Sequence, residues 1–106
     1  MDNVNKDQWK KLLTEKGSES VILDVRTPGE WAEGVQRNAV LLNIMDGNNF
    51  INQVKSMDQS KSYFVYCRGG NRSAQACMIM DELGFKQTYN LIGGMMAWDG
   101  ETVSHG

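Results

Sequence analysis

Short apolar runs of strand length alternate with amphipathic stretches along the whole chain, and this alternation restricts the fold more than any other feature of the sequence. Residues 21–23, closed by Asp24, residues 39–42, residues 63–66 and residues 88–91 read as strands, the third being aromatic and β-branched throughout. Between them lie helical signals. Asn5 and Gln8 form a capping-box pattern before Trp9, Leu12 and Leu13, with Gly17 as the stop. Thr27-Pro28-Gly29-Glu30 repeats the pattern with Pro at the first helical position. Asn48 or Asn49 is the expected cap of a helix carrying Phe50, Ile51, Val54 and Met57 on its inner face. Residues 73–83 place Ala76, Ile79, Met80 and Leu83 on one side, and Gly84 ends that helix. The short MMAW segment after Gly93-Gly94 is one or two helical turns. Strands and helices spaced this way predict an α/β fold: a central parallel sheet of about five short strands with helices on both faces.

The 106 residues suit one domain, here 1–106, able to bury roughly 65% of its unfolded surface. A net charge of −2 points to neither nucleic acid nor an anionic membrane. No apolar run approaches the ~20 residues of a membrane span. The N-terminal MDNVNKDQW has no apolar signal core, so a cytoplasmic location with reduced thiols is expected. Two cysteines, Cys67 and Cys77, make no CxxC pair, and the single His105 gives no Cys/His metal set.

Against that balance, the loop YCRGGNRS at 66–73 concentrates positive charge and glycine around a thiol. It lies between the strongest strand and a helix, where ligands bind in parallel sheets. Three readings are open: a nucleophile's cradle, a turn that holds a buried cysteine, or a basic contact patch. The first explains most. Gly69 and Gly70 are expected to take positive φ, and successive amides to form an anion nest around the Cys67 sulfur. The start of the following helix adds positive partial charge, and Arg68 and Arg72 add formal charge. Cysteines so placed have pKa values of roughly 3.5–7.5 instead of about 8.5. Arg68 is expected at the pocket mouth facing solvent, and Arg72 is expected to hold the loop's shape with its guanidinium. A cysteine phosphatase needs five residues between Cys and Arg; four separate Cys67 from Arg72, which suits a smaller species such as one sulfur atom.

The chain resembles the single-domain rhodaneses. The resemblance rests on Val21-Ile22-Leu23-Asp24-Val25-Arg26 with Glu30-Trp31 and Gly34, on Cys67-Arg68-Gly69-Gly70-Asn71-Arg72-Ser73 with its helix, and on Asn90-Leu91-Ile92-Gly93-Gly94 with Trp98. It implies a sulfurtransferase that moves sulfane sulfur from a small anionic donor such as thiosulfate to cyanide, a thiol or a protein acceptor. Cys67 would be the nucleophile and persulfide carrier, with Arg68, Gly69, Gly70, Asn71 and Arg72 holding the substrate. Asp24, Arg26 and Ser73 would support the site, Arg26 by pairing with Glu30. No metal or cofactor is implied. Two departures stand out: Gly34-Val35-Gln36 replaces a Gly-His-Ile run of scaffold residues, and Gly69 replaces a common Ser or Thr. The alternatives are a non-enzymatic interaction or redox-sensing module and, third, a cysteine phosphatase or arsenate reductase. Cys77 is expected in the core, Met95 and Met96 at the pocket mouth, His105 in a solvated tail, and Trp9, Trp31 and Trp98 in helix–sheet packing.

Overall fold

The aromatic run after residue 61 becomes the central strand of a five-stranded parallel sheet in the computed structural model, which describes residues 1–105. The strands are β1 (Asp2–Val4), β2 (Ser20–Asp24), β3 (Val40–Leu41), β4 (Ser62–Tyr66) and β5 (Gln87–Leu91), in spatial order β1-β5-β4-β2-β3. Every pairing is parallel, so each connection crosses over a face of the sheet. Helices α1 (Lys6–Lys16), α2 (Pro28–Trp31), α3 (Asn48–Lys55) and α4 (Asn71–Glu82) lie between the strands.

Alternation along β4 sorts its side chains between two cores. Tyr63 and Val65, followed by Cys67, face a cluster with Phe50 and Val54 of α3 and Ala76, Cys77 and Met80 of α4. Phe64 and Tyr66 face the other cluster, with Trp9 of α1, Val4, Tyr89 and Leu91. Trp9 is fully buried, with its ring edge-on to Phe64 at 5.3 Å and to Tyr66 at 6.2 Å. Such pairs contribute about 0.5–1.5 kcal/mol each beyond area burial. Trp31 and Trp98 are half-buried. Gln36, 2% exposed, has a bracing role: its side chain accepts from Trp9 Nε1 at 3.1 Å, and its backbone N–H donates to the Tyr66 hydroxyl at 3.0 Å. The residue standing in the variant run therefore ties α1 to β4.

Several boundaries differ from the sequence reading. The edge strand β1 carries no periodic signal, since DNV is mostly polar; pairing with Tyr89, Asn90 and Leu91 defines it. The strand expected at 39–42 shortens to two residues at the opposite edge. Neither Asn48 nor Asn49 caps α3; the cap position is Gly47, with no side-chain cap bond. Helix α4 starts two residues early, at Asn71, because Gly70 takes φ 110° and its carbonyl already accepts from Ala74 at 3.2 Å. The capping boxes at Asn5 and Thr27 are both formed.

After β5 the chain turns beneath the cysteine loop. Met95 and Met96 N–H donate to the carbonyls of Cys67 and Arg68, each at 3.0 Å. This approach requires Gly94, which has φ 53°; a Cβ there would strike the Cys67 carbonyl and lie 2.6 Å from that of Arg68. Gly94→Ala should therefore lower stability by about 2–4 kcal/mol, from overpacking and left-handed strain together. Urea unfolding checks this: the midpoint should fall with little change in slope.

Candidate active site

The nucleophile candidate sits at the carboxyl end of the central strand. Cys67 is 1% exposed, and its sulfur accepts the Gly70 N–H at 3.0 Å. The Ser73 hydroxyl lies 3.3 Å from the same sulfur. Burial opposes ionisation of Cys67, but the Ser73 hydroxyl and the amides of Ser73, Gly70 and Gly69 outweigh it, so the thiol titrates below its ordinary range. The cradle departs from expectation in one respect. Gly70 takes positive φ, and a Cβ there would lie 3.5 Å from the Leu91 carbonyl, whereas Gly69 does not and faces open space. Asn71 is exposed at the start of α4.

The expected pairing of Arg26 with Glu30 is not what forms. Arg26 folds back on Asp24 two residues earlier, with Nη2 donating to Oδ2 at 2.7 Å and Nε to Oδ1 at 3.0 Å. Both partners are buried, and Arg26 Nη2 also donates to the Gly34 carbonyl at 2.8 Å. Asp24 further accepts from the Arg26 backbone N–H and from Trp31 Nε1. The two residues share one strand end, so the guanidinium reaches Asp24 without crossing the site. Glu30 pairs instead with Arg72 in a two-pronged contact, Nη1 to Oε1 at 2.7 Å and Nη2 to Oε2 at 2.8 Å. That contact is the main reason the Glu30 carboxyl is held down to about 2, against its partial burial and with help from Thr27. Arg72 thus clamps the helix end of the loop to α2.

Arg68 is exposed and lines a shallow cavity of about 190 Å³ with Arg26, Glu30, Glu33, Met95 and Met96. A cavity between α1 and Trp98 has no cysteine or histidine in its lining. Cys77 is buried, and burial pushes its thiol up to about 12. His105 is exposed, with its ring edge-on to Trp31 at 6.3 Å. Among the described residues no three His, Cys, Asp or Glu side chains converge as a metal site.

Two residues of the site are among those that carry the resemblance but received no role in the site from the sequence. Asn90, 5% exposed in β5, accepts from Ser73 at 2.5 Å and donates to the Gly70 carbonyl at 3.2 Å. An amide side chain between Tyr89 and Leu91 near the end of the strand was the available signal. Gly94 is the other, and its signal was the Gly-Gly pair placed after a strand.

Comparison with known proteins places this geometry. Residues 5–101 match the rhodanese-like domain. A Bacillus subtilis protein named "Putative sulfurtransferase YtwF" is 42% identical over 92 residues, which cover 87% of this chain and 85% of that one. A tRNA uridine(34) hydroxylase of Pelagibacter ubique is 26% identical over 90% of this chain, but the match takes in 31% of its own length. The crystal structure of a rhodanese-like domain protein from Staphylococcus aureus superimposes with a TM-score of 0.79 at 32% identity, covering 100% of both chains. The cysteine loop, the parallel sheet beneath it and these relatives agree, and the chain belongs to the rhodanese-like domain family.

Proposed function

We propose that the protein is a sulfurtransferase that carries sulfane sulfur on Cys67. The observation that carries this reading is the Cys67 sulfur held by the Gly70 amide inside a four-residue loop at the end of the central strand. Such a loop is too tight for a phosphoryl group and suits a single added sulfur atom. The likeness to a protein named as a sulfurtransferase supports the same reading. The chain matches too little of the tRNA hydroxylase for that activity to be carried over.

The reaction is two displacements at sulfur. Cys67 thiolate attacks the outer sulfur of a donor such as thiosulfate; a new S–S bond forms, the old one breaks, and sulfite leaves with the bonding electron pair. The persulfide anion rests against the loop amides that held the thiolate. Cyanide or a thiolate acceptor then attacks the terminal sulfur, and Cys67 leaves as thiolate. Charge balances in each step without a metal or an organic cofactor. Because the sulfur is carried covalently between donor and acceptor, ping-pong kinetics follow.

Incubation with thiosulfate should add one sulfur atom to the intact mass, on Cys67, and cyanide should remove it. Cys67→Ser should gain none, since a hydroxyl is a poor nucleophile at neutral pH. Sulfur found on Cys77, or hydrolysis of an aryl phosphate without sulfur gain, would overturn the assignment.

The clamp gives a second expectation. Arg72→Lys keeps the charge but loses the fork on Glu30, so turnover should fall on the order of 10²-fold, nearly as far as in Arg72→Ala. Near-normal turnover by Arg72→Lys would show that charge alone matters. The clamp also has a pH signature. The folded protein keeps Glu30 ionised to lower pH than the unfolded chain does, from an ordinary value of 4.5 down to about 2. Its contribution to stability is therefore present above about 4.5 and is lost as pH falls toward about 2. Glu30→Gln should flatten the acid limb of the stability curve measured by urea unfolding across that window.

Arg68 should act on encounter instead. Arg68→Ala should raise the apparent KM for thiosulfate at low salt, and the difference should shrink as ionic strength rises.

A further inference from the structure

The Ser73 hydroxyl has one proton and two neighbours that can take it. Its oxygen lies 2.5 Å from Asn90 Oδ1 and 3.3 Å from Cys67 Sγ. The orientation of the Asn90 amide follows from its other contacts. The Gly70 carbonyl can only accept, so the amide nitrogen faces it at 3.2 Å. The second N–H goes to Asn3 Oδ1 at 3.0 Å. The amide oxygen therefore faces Ser73, and the short contact is Ser73 donating. While it does so, Ser73 can meet the sulfur only as an acceptor, a contact that suits a thiol S–H and not a thiolate.

We propose that Asn90 is a positioning residue that governs ionisation of Cys67 through the Ser73 proton, which turns from Asn90 Oδ1 to Sγ as negative charge builds on the sulfur. The proposal rests on the reading of Cys67 as the nucleophile. When the proton turns, Asn90 Oδ1 loses its donor in a buried setting, so the amide oxygen opposes the turn. Removing that oxygen releases the proton to the sulfur. Asn90 also acts in the other direction, since it fixes the Gly70 carbonyl whose own N–H meets Sγ. The two effects separate only when Ser73 is varied as well. The charged groups around the loop are Arg68 beside Cys67, Arg72 held by Glu30, and the Asp24–Arg26 pair at the end of β2; the other thiol on the α4 side is Cys77. None of them donates a hydrogen bond to Sγ, and none is altered by the substitutions below.

The experiment is a double-mutant cycle read by the pH profile of Cys67 alkylation with iodoacetamide, resolved by peptide mass, with buried Cys77 as the internal control. Asn90→Leu should increase the thiolate-to-thiol ratio about five-fold more when Ser73 is present than in the Ser73→Ala background, the effect of one hydrogen bond. Asn90→Asp keeps a stronger acceptor for the Ser73 proton, and should decrease the ratio more with Ser73 present than in the Ser73→Ala background. It provides the test if the leucine variant fails to fold. Equal effects in the two backgrounds, or a Ser73-dependent difference of opposite sign for Asn90→Leu, would overturn the proposal. Sulfur transfer is tested apart from this: absence of mass gain from thiosulfate would refute the proposed function and leave the alkylation coupling unchanged.

Discussion

Everything at the site depends on one crossing of the chain, where the Met95 and Met96 amides take up the carbonyls of Cys67 and Arg68. A loop that aims its N–H groups inward must send carbonyls outward, and buried carbonyls need donors. The turn after β5 supplies them from below. With those carbonyls fixed, the Gly70 amide and the Ser73 hydroxyl meet the sulfur, and the amides of Gly69 and Ser73 also favour its ionised form. Gly94 makes the crossing close enough, and a Cβ on Gly70 would come up against the Leu91 carbonyl on the same strand end. The cradle is thus shared by β4 and β5, although its sequence signature lies in one short run.

The parallel sheet brings the remaining parts together at the same edge. Val25 N–H donates to the Tyr66 carbonyl at 3.1 Å, which extends the β2–β4 pairing to the last residue before the cysteine. Asp24 and Arg26 then end β2 as a closed pair, and α2 begins with Glu30 placed to receive Arg72. Glu30 does two jobs, as the capping-box acceptor of Thr27 and as the anchor of the loop. An interaction that begins as a local helix signal thereby fixes the geometry of a site 42 residues away in sequence.

Local signals carried most of the architecture. The Asn5 and Thr27 caps, the β4 run and the Gly84 stop are all decided by neighbours within a few residues, so they could be read from the chain. What escaped was decided by distant partners. Residues 2–4 become a strand only because β5 offers an edge, and a largely polar DNV gives no hint of it. The choice of partner for Glu30 depends on how α2 and α4 are placed, which residue spacing does not contain. Within the loop, the positions of Cys67, Gly70 and Arg72 could be inferred from chemistry alone. The role of Asn90 could not, because its partners come from β1, the loop and α4.

The sequence invites the view that two arginines hold the thiolate by charge. The structure distributes that work differently. Arg72 is neutralised by Glu30 and Arg26 by Asp24, and Arg68 extends into solvent beside Glu33. The formal charges close to the sulfur largely cancel in pairs. The groups that meet it directly are the Gly70 amide and one hydroxyl, with the Gly69 and Ser73 amides adding to the pull toward the thiolate. Amide dipoles fixed in a buried loop are little screened by salt, and in the proposed transfer they would need no reorganisation when charge moves from the thiolate to the persulfide terminus. The arginines stand at a remove, Arg72 held in its contact with Glu30 and Arg68 exposed at the cavity. A cradle built this way stabilises negative charge on sulfur through its shape, so the chain can carry a net negative charge overall and still favour a thiolate at one point.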